Sequence, residues 1–146
     1  MASEQTLKEI FDTGGFLGQG WSFPPTFTKG TNTVELVQAE EDIKESLHII
    51  LSTTLGERVM LSDFGANLDQ QVFEPMDAAF QPFVTSIIRR AINIYEPRVN
   101  LDSVDVASEV LEGKIELTIN FTIIANNTRS NIVYPYYLTE GTNVQQ

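Results

Sequence analysis

The sequence predicts an α+β fold, with two main helices packed on a mostly antiparallel sheet. Three observations predict it. Two segments, from about Glu40 to Ser52 and from Asp77 or Gln81 to Tyr95, place apolar residues at helical spacing. Residues 114–125 alternate apolar and polar, as a strand with one buried face does. The strands gather after the second helix instead of alternating with helices, which argues against a parallel α/β sheet.

Taken in order, residues 1–20 read as an N-terminal arm. Ser3 can cap a short helix with Leu7, Ile10 and Phe11 on one side, and Gly14, Gly15, Gly18 and Gly20 then form a flexible joint. Trp21-Ser22-Phe23-Pro24-Pro25 is an aromatic clamp whose proline pair stops regular structure. A short strand follows over 33–37. Glu40, Glu41, Asp42 and Glu45 open the first helix, where acids complement the positive end of the helix dipole. Its core stripe is Ile43, Leu47, Ile50, Leu51 and Leu55, with Ile49 on the opposite side.

Residues 56–65 read as a loop, and Val72-Phe73-Glu74-Pro75 ends another short segment. Asp77 is a candidate cap for the second helix, and Pro82 must lie in its first turn. Phe80, Phe83, Val84, Ile87, Ile88, Ala91, Ile94 and Tyr95 make its apolar side. Pro97 forces Glu96 out of helical conformation, so the helix ends at Tyr95. Val99 and Leu101 share one parity and Val104 and Val106 the other, which predicts a bulge near Asp102-Ser103. A hairpin-sized connection, 109–113, makes the next strand antiparallel, with Ile115, Leu117, Ile119, Phe121 and Ile123 on one face. The last strand runs from Ile132 to Leu138, and Pro135 inside it demands an edge or a bulge. The chain thus divides into an arm (1–20), a single domain (21–140) and a tail (141–146).

Composition narrows the function. The chain of 146 residues can bury a proper core. Its 20 acidic against 9 basic residues give a net charge of -11, the wrong sign for nucleic acid or an anionic membrane surface. No apolar run reaches the roughly 20 residues of a spanning helix, and no secretion signal opens the sequence, so the expectation is synthesis and folding in the cytoplasm. There is no cysteine, and the single histidine, His48, has no second ligand at metal spacing, so no cofactor or metal site is expected. The sequence also lacks a nucleophile elbow and a zinc-protease motif. Glu57 with Asp63 or Asp69 is the one carboxylate couple worth naming, as a glycosidase pair.

Glu96-Pro97-Arg98 leaves two roles open by itself. An arginine just past a rigid corner can fork onto a partner's carboxylates or carbonyls, or it can satisfy the helix's own last carbonyls. Its setting adds more. Phe73-Glu74-Pro75, the long helix and Tyr95-Glu96-Pro97-Arg98-Val99 resemble the GPW/gene-25-like family of baseplate wedge proteins. So do Trp21-Ser22-Phe23-Pro24-Pro25, the run from Glu41-Asp42-Ile43 to Leu51-Ser52-Thr53, Gly56-Glu57-Arg58-Val59-Met60, Asp63-Phe64-Gly65, and Asn131 through Leu138. The ordered series spans roughly residues 20 to 140.

The resemblance implies a non-enzymatic scaffold in the sixfold baseplate of a phage tail, a type VI secretion machine or an extracellular injection particle, with a fold similar to a sheath strand-exchange domain. The first and last motifs lean towards a phage-tail-like injection particle. The implied partners are other wedge proteins, met by Glu96, Pro97 and Arg98, and the tail sheath protein, met by an edge strand containing Val133, Tyr134, Tyr136 and Tyr137. Tube-base or spike proteins are further partners. Two alternatives from other classes are a peptidoglycan-cleaving tail lysozyme and a regulatory binding protein on the same fold.

Overall fold

A computed structural model describes residues 15–66, 68, 77–109 and 114–137. The chain divides into two compact units, residues 1–48 and 49–146. The predicted α+β class holds: among the described residues two α-helices, α1 (Ala39–Ser52) and α2 (Phe80–Tyr95), accompany antiparallel sheets.

In the first unit a 3-10 turn at Gly15–Leu17 leads into β1 (Gln19–Trp21), which pairs with β4 (Leu36–Gln38). Between them β2 (Phe27–Thr28) pairs with β3 (Thr33–Val34). Backbone bonds Ser22 N–H to Glu35 O and Glu35 N–H to Thr26 O, both 3.0 Å, join the two ribbons into one irregular hairpin. The joint expected at Gly18 and Gly20 is therefore ordered pairing at Gly20. The reason is close approach: a Cβ on Gly20 would overlap the Asp42 carboxylate. The single strand expected over 33–37 is split in two at Glu35. The proline pair does interrupt the hairpin, between β1 and β2. Above it, the Glu45 carboxylate accepts the Phe23 N–H at 3.0 Å, and the Phe23 ring lies 6.1 Å from the His48 imidazole.

Helix α1 has the expected acidic first turn, Glu40, Glu41 and Asp42. Lys44 lies one turn on, 2.9 Å from Glu40, the favourable order for an i,i+4 pair. That hydrogen bond holds the Lys44 ammonium above its ordinary pKa. Ile43, Leu47, Ile50 and Leu51 are buried, as the stripe predicts, whereas Leu55 lies beyond the helix end and is exposed.

The second unit begins at that end, where Thr53 donates both its N–H and its hydroxyl to the Ile49 carbonyl. The loop that follows is tied by Gly56 N–H to Ser62 O at 2.8 Å, and the Glu57 carboxylate accepts the Thr54 N–H at 3.0 Å. The Arg58 guanidinium lies 3.8 Å above the Phe64 ring, which in turn packs on Tyr95 at 4.8 Å.

Asp77 does not cap α2 directly. Its carboxylate accepts the Ala79 N–H at 2.9 Å, shaping the turn ahead of the helix, while Ala79 holds the cap position without a side-chain bond. The carboxylate is two residues ahead of the cap position, too early to reach the N–H groups of the first helical turn. The buried stripe of α2 is Phe80, Val84, Ile88, Ala91 and Ile92. Phe83 and Ile94, expected in the apolar face, are instead about half exposed. Helix α2 packs on β5 (Val99–Glu109), the first strand of a meander completed by β6 (Lys114–Ile123) and β7 (Thr128–Tyr137).

The meander follows its sequence pattern closely. The register slips between Leu101 and Ser103, where the parity change placed a bulge. The slip keeps Val99, Leu101 and Val104 on the buried side, opposite Ile123, Phe121 and Ile119. Asp102, the extra residue, accepts the Thr122 hydroxyl at 2.7 Å. Strand β7 starts four residues earlier than expected. The turn 124–127 is tight enough to pair Thr128 with Ile123 at once, and the polar residues 128–131 simply continue the ladder. Pro135 stands in an edge strand, as its missing N–H requires.

Candidate functional site

The corner after α2 is built by four residues. Proline at 97 excludes the α region for Glu96, which takes φ -132°, ψ 73° while its N–H still closes the helix on Ile92 O at 2.8 Å. Glu96 O then accepts the Val99 N–H at 3.3 Å, so residues 96–99 form a β-turn with proline in its preferred second position. Arg98 O accepts the Ile124 N–H at 2.9 Å, which ties the corner to the β6–β7 turn.

This geometry brings the two charged side chains of the turn together. Arg98 Nε donates to Glu96 Oε1 at 2.6 Å and its Nη2 to Oε2 at 2.7 Å. The Glu96 side chain is only 4% exposed, that of Arg98 30%. The pair is a charge-assisted fork of the geometry that guanidinium and carboxylate share. Neither role open at the sequence level had included it: the fork is to the motif's own glutamate. The spacing i, i+2 across a proline turn was the signal that could have shown it.

The second candidate surface is the edge strand β7. Its residues Val133 and Tyr134 pair with Thr118 and Leu117 of β6, and Tyr136 and Tyr137 with Ile115 and Lys114. Val133 is 48% exposed. Tyr136 faces inward, is buried, and donates its hydroxyl to the Leu68 carbonyl. The opposite edge of the sheet, β5, differs in kind. There the Gln81 side chain of α2 donates to Val104 O at 3.1 Å, and a bulge breaks the ladder.

The remaining candidates are dispersed. Glu57 and Asp63 are exposed, one holding the Thr54 N–H and the other 3.3 Å from the Ser62 hydroxyl. Asp69 lies outside the described residues, as do Phe73-Glu74-Pro75. Among the described residues no group of His, Asp and Glu could hold a metal ion, and no helix is long and apolar enough to cross a membrane.

Against known proteins, residues 37–128 match the family model described as baseplate wedge protein gp25. The chain belongs to this family. Membership makes it a baseplate wedge component of contractile, phage tail-like particles. Relatives of the wedge family include baseplate protein W of Escherichia phage P2, 33% identical over 79 residues, or 54% of this chain and 68% of that protein. Baseplate wedge protein gp25 of Enterobacteria phage T4 is 33% identical over 84 residues, 58% of this chain and 64% of the T4 protein. The chain thus spans about two thirds of the length of these relatives.

Among solved structures, a Geobacter sulfurreducens protein described as a candidate tail lysozyme is 39% identical, with a TM-score of 0.67 over 75% of this chain and 99% of its own. A chain of the sixfold-symmetrised anti-feeding prophage baseplate has a TM-score of 0.64 at 24% identity, covering 90% of this chain and 94% of its own. One from the post-contraction pyocin R2 baseplate has 0.50 at 19% identity, covering 77% and 97%. The last two share the fold.

Proposed function

We propose that this wedge-family protein is a non-catalytic joint, with Arg98 docking on other wedge proteins and the β7 edge templating the first ring of the sheath. The observation that carries this reading is the closed fork at the corner. A buried carboxylate engages the Arg98 guanidinium through both oxygens, which fixes that guanidinium where about a third of it reaches solvent. In this arrangement Glu96 positions and Arg98 contacts. A rigidly held guanidinium loses little side-chain entropy on forming further hydrogen bonds to a partner. For the sheath, β7 supports the reading as a ten-residue edge strand in fixed register, whereas β5 is obstructed. The particle is sixfold in this reading, and tube-base or spike proteins adjoin the joint.

The test must separate docking from folding, because Arg98→Ala alone removes the fork that holds the buried Glu96 charge. That loss should be on the order of 2–4 kcal/mol, below the fully buried case because Arg98 is partly exposed. Replacing both partners, Glu96→Met with Arg98→Met, removes the charge and keeps the volume, so the melting temperature should stay within a few degrees. The double variant should nevertheless fail to co-sediment with wedge partners. Co-sedimentation by a folded double variant would refute the docking role. On the sheath side, Val133→Lys places a charge on the edge strand and should shorten or abolish sheath while leaving the monomer folded.

One observation favours a second reading, peptidoglycan cleavage: the description of the Geobacter relative. A general acid of that chemistry sits in an apolar pocket, whereas Glu57 and Asp63 are exposed. A zymogram that clears with the natural chain and not with Glu57→Gln would overturn the non-catalytic reading.

A further inference from the structure

Helix α2 carries a second apolar stripe beside its buried one. Phe83 is 47% and Ile94 56% exposed, and Ile87 between them is half-buried. The stripe forms one wall of an open cleft of about 450 Å3, and Leu55 and Asp63 of the preceding loop stand on the other wall. Contiguous apolar surface of this kind on a well-formed wall marks an interaction site more often than chance exposure. The loop wall is pre-formed by the Gly56–Ser62 bond and by the stack of Arg58 on Phe64 on Tyr95.

We propose that this cleft seats one amphipathic helix of another protein in the assembly, with its apolar stripe on Phe83, Ile87 and Ile94 and its acidic flank against Arg90. The shape selects a helix. From Phe83 to Ile94 the stripe rises about 16 Å in three turns, and its knobs fall at helical spacing, the pattern of a helix laid along a groove. Neither wall of the cleft is a strand, so an extended peptide finds no ladder to join.

Charge selects the flank. Arg90 lines the cleft, and α2 contains no acidic residue at all, in a chain whose net charge is -11. The complement of that wall is carboxylate. A second copy of this chain fits poorly, since a twofold contact through the stripe would bring Arg90 towards its own copy, with no acidic residue on α2 to meet it. The inference uses none of the residues of the Glu96–Arg98 corner or of β7, so it stands or falls apart from them.

A photo-reactive phenylalanine analogue at position 83 or 94, incorporated into assembled particles and mapped by mass spectrometry, tests it. The expected adducts fall on one segment of one other protein, at apolar positions three, four or seven residues apart, with Asp or Glu beside them. Arg90→Glu in the same particles should lower the adduct yield at least about tenfold, and Lys in place of the partner's acid should restore it. Adducts at every second residue, on a second copy, or within the same chain overturn the proposal. So do particles that contain the probed chain and give no adduct, an outcome that leaves the wedge reading intact.

Discussion

Two glycines in this chain answer to different neighbours, and their replacement should separate backbone from side-chain crowding. A Cβ on Gly65 would overlap the Thr53 carbonyl oxygen, and its φ of +118° is one that other residues rarely adopt. Backbone cannot step aside, so Gly65→Ala should cost on the order of 3 kcal/mol or more, read as a lowered denaturation midpoint. At Gly20 the obstacle is the Asp42 carboxylate, the mobile end of a side chain. Gly20→Ala should cost about 1 kcal/mol or less, and Asp42→Ala should remove that cost in the double variant. Equal penalties at the two positions would contradict this account. Neither contact was visible in the sequence, which offered both residues as glycines in loops; the neighbours are 22 and 12 positions away. The same holds for Glu96 and Arg98. Their residue types announced a corner, but only the folded structure showed the carboxylate buried and turned onto its own arginine.

At the scale of elements, the bulge at Asp102 carries the greatest structural consequence. Side chains on a strand alternate, so one extra residue is needed to keep Val99 and Leu101 on the same face as Val104. Deleting Asp102 should remove the bulge and leave plain alternation, with Leu101, Ser103 and Val104 still opposite Phe121, Asn120 and Ile119. Val104 should stay buried, and the variant should fold with dispersed amide resonances, losing on the order of 1 kcal/mol with the Asp102–Thr122 bond. A molten deletion variant would mean that the bulge itself, and not the shared face, holds the strand. This element was legible because parity is a local property: the change of phase stands in the sequence itself. The core face of β6 was legible for the same reason, and all five of its predicted residues are buried. Helix α2 was legible in extent and less so in orientation. Its apolar residues cover a wide arc, and Ile92 completes the buried stripe at one turn from Ile88. Phe83 and Ile94, at the other margin of that arc, were grouped with the core and face the cleft instead. Hydrophobic periodicity gives the arc; which part of it is covered depends on where β5 crosses.

For the molecule as a whole, charge sets the behaviour outside an assembly. A net charge of -11 keeps copies apart near neutral pH, and it vanishes near the sequence pI of 4.3. The exposed apolar residues of α2 and its neighbouring loop then lose their electrostatic protection. Solubility should fall to a minimum within about one pH unit of that pI, and Phe83→Glu with Ile94→Glu should make the minimum shallower; a flat profile for the natural chain would contradict this. The sequence by itself determined the α+β class, the two helices, the meander with its bulge, and the ordered motifs of the baseplate wedge family. Those are set by periodicity, turn chemistry and residue order, all of which act between near neighbours. Only the tertiary structure decided that Glu96 closes on Arg98, that Gln81 obstructs the β5 edge while β7 stays an edge, and that α2 shows a second apolar stripe. Each of these depends on which distant segment arrives at a given side chain, and burial, pairing and exposure are properties of that meeting.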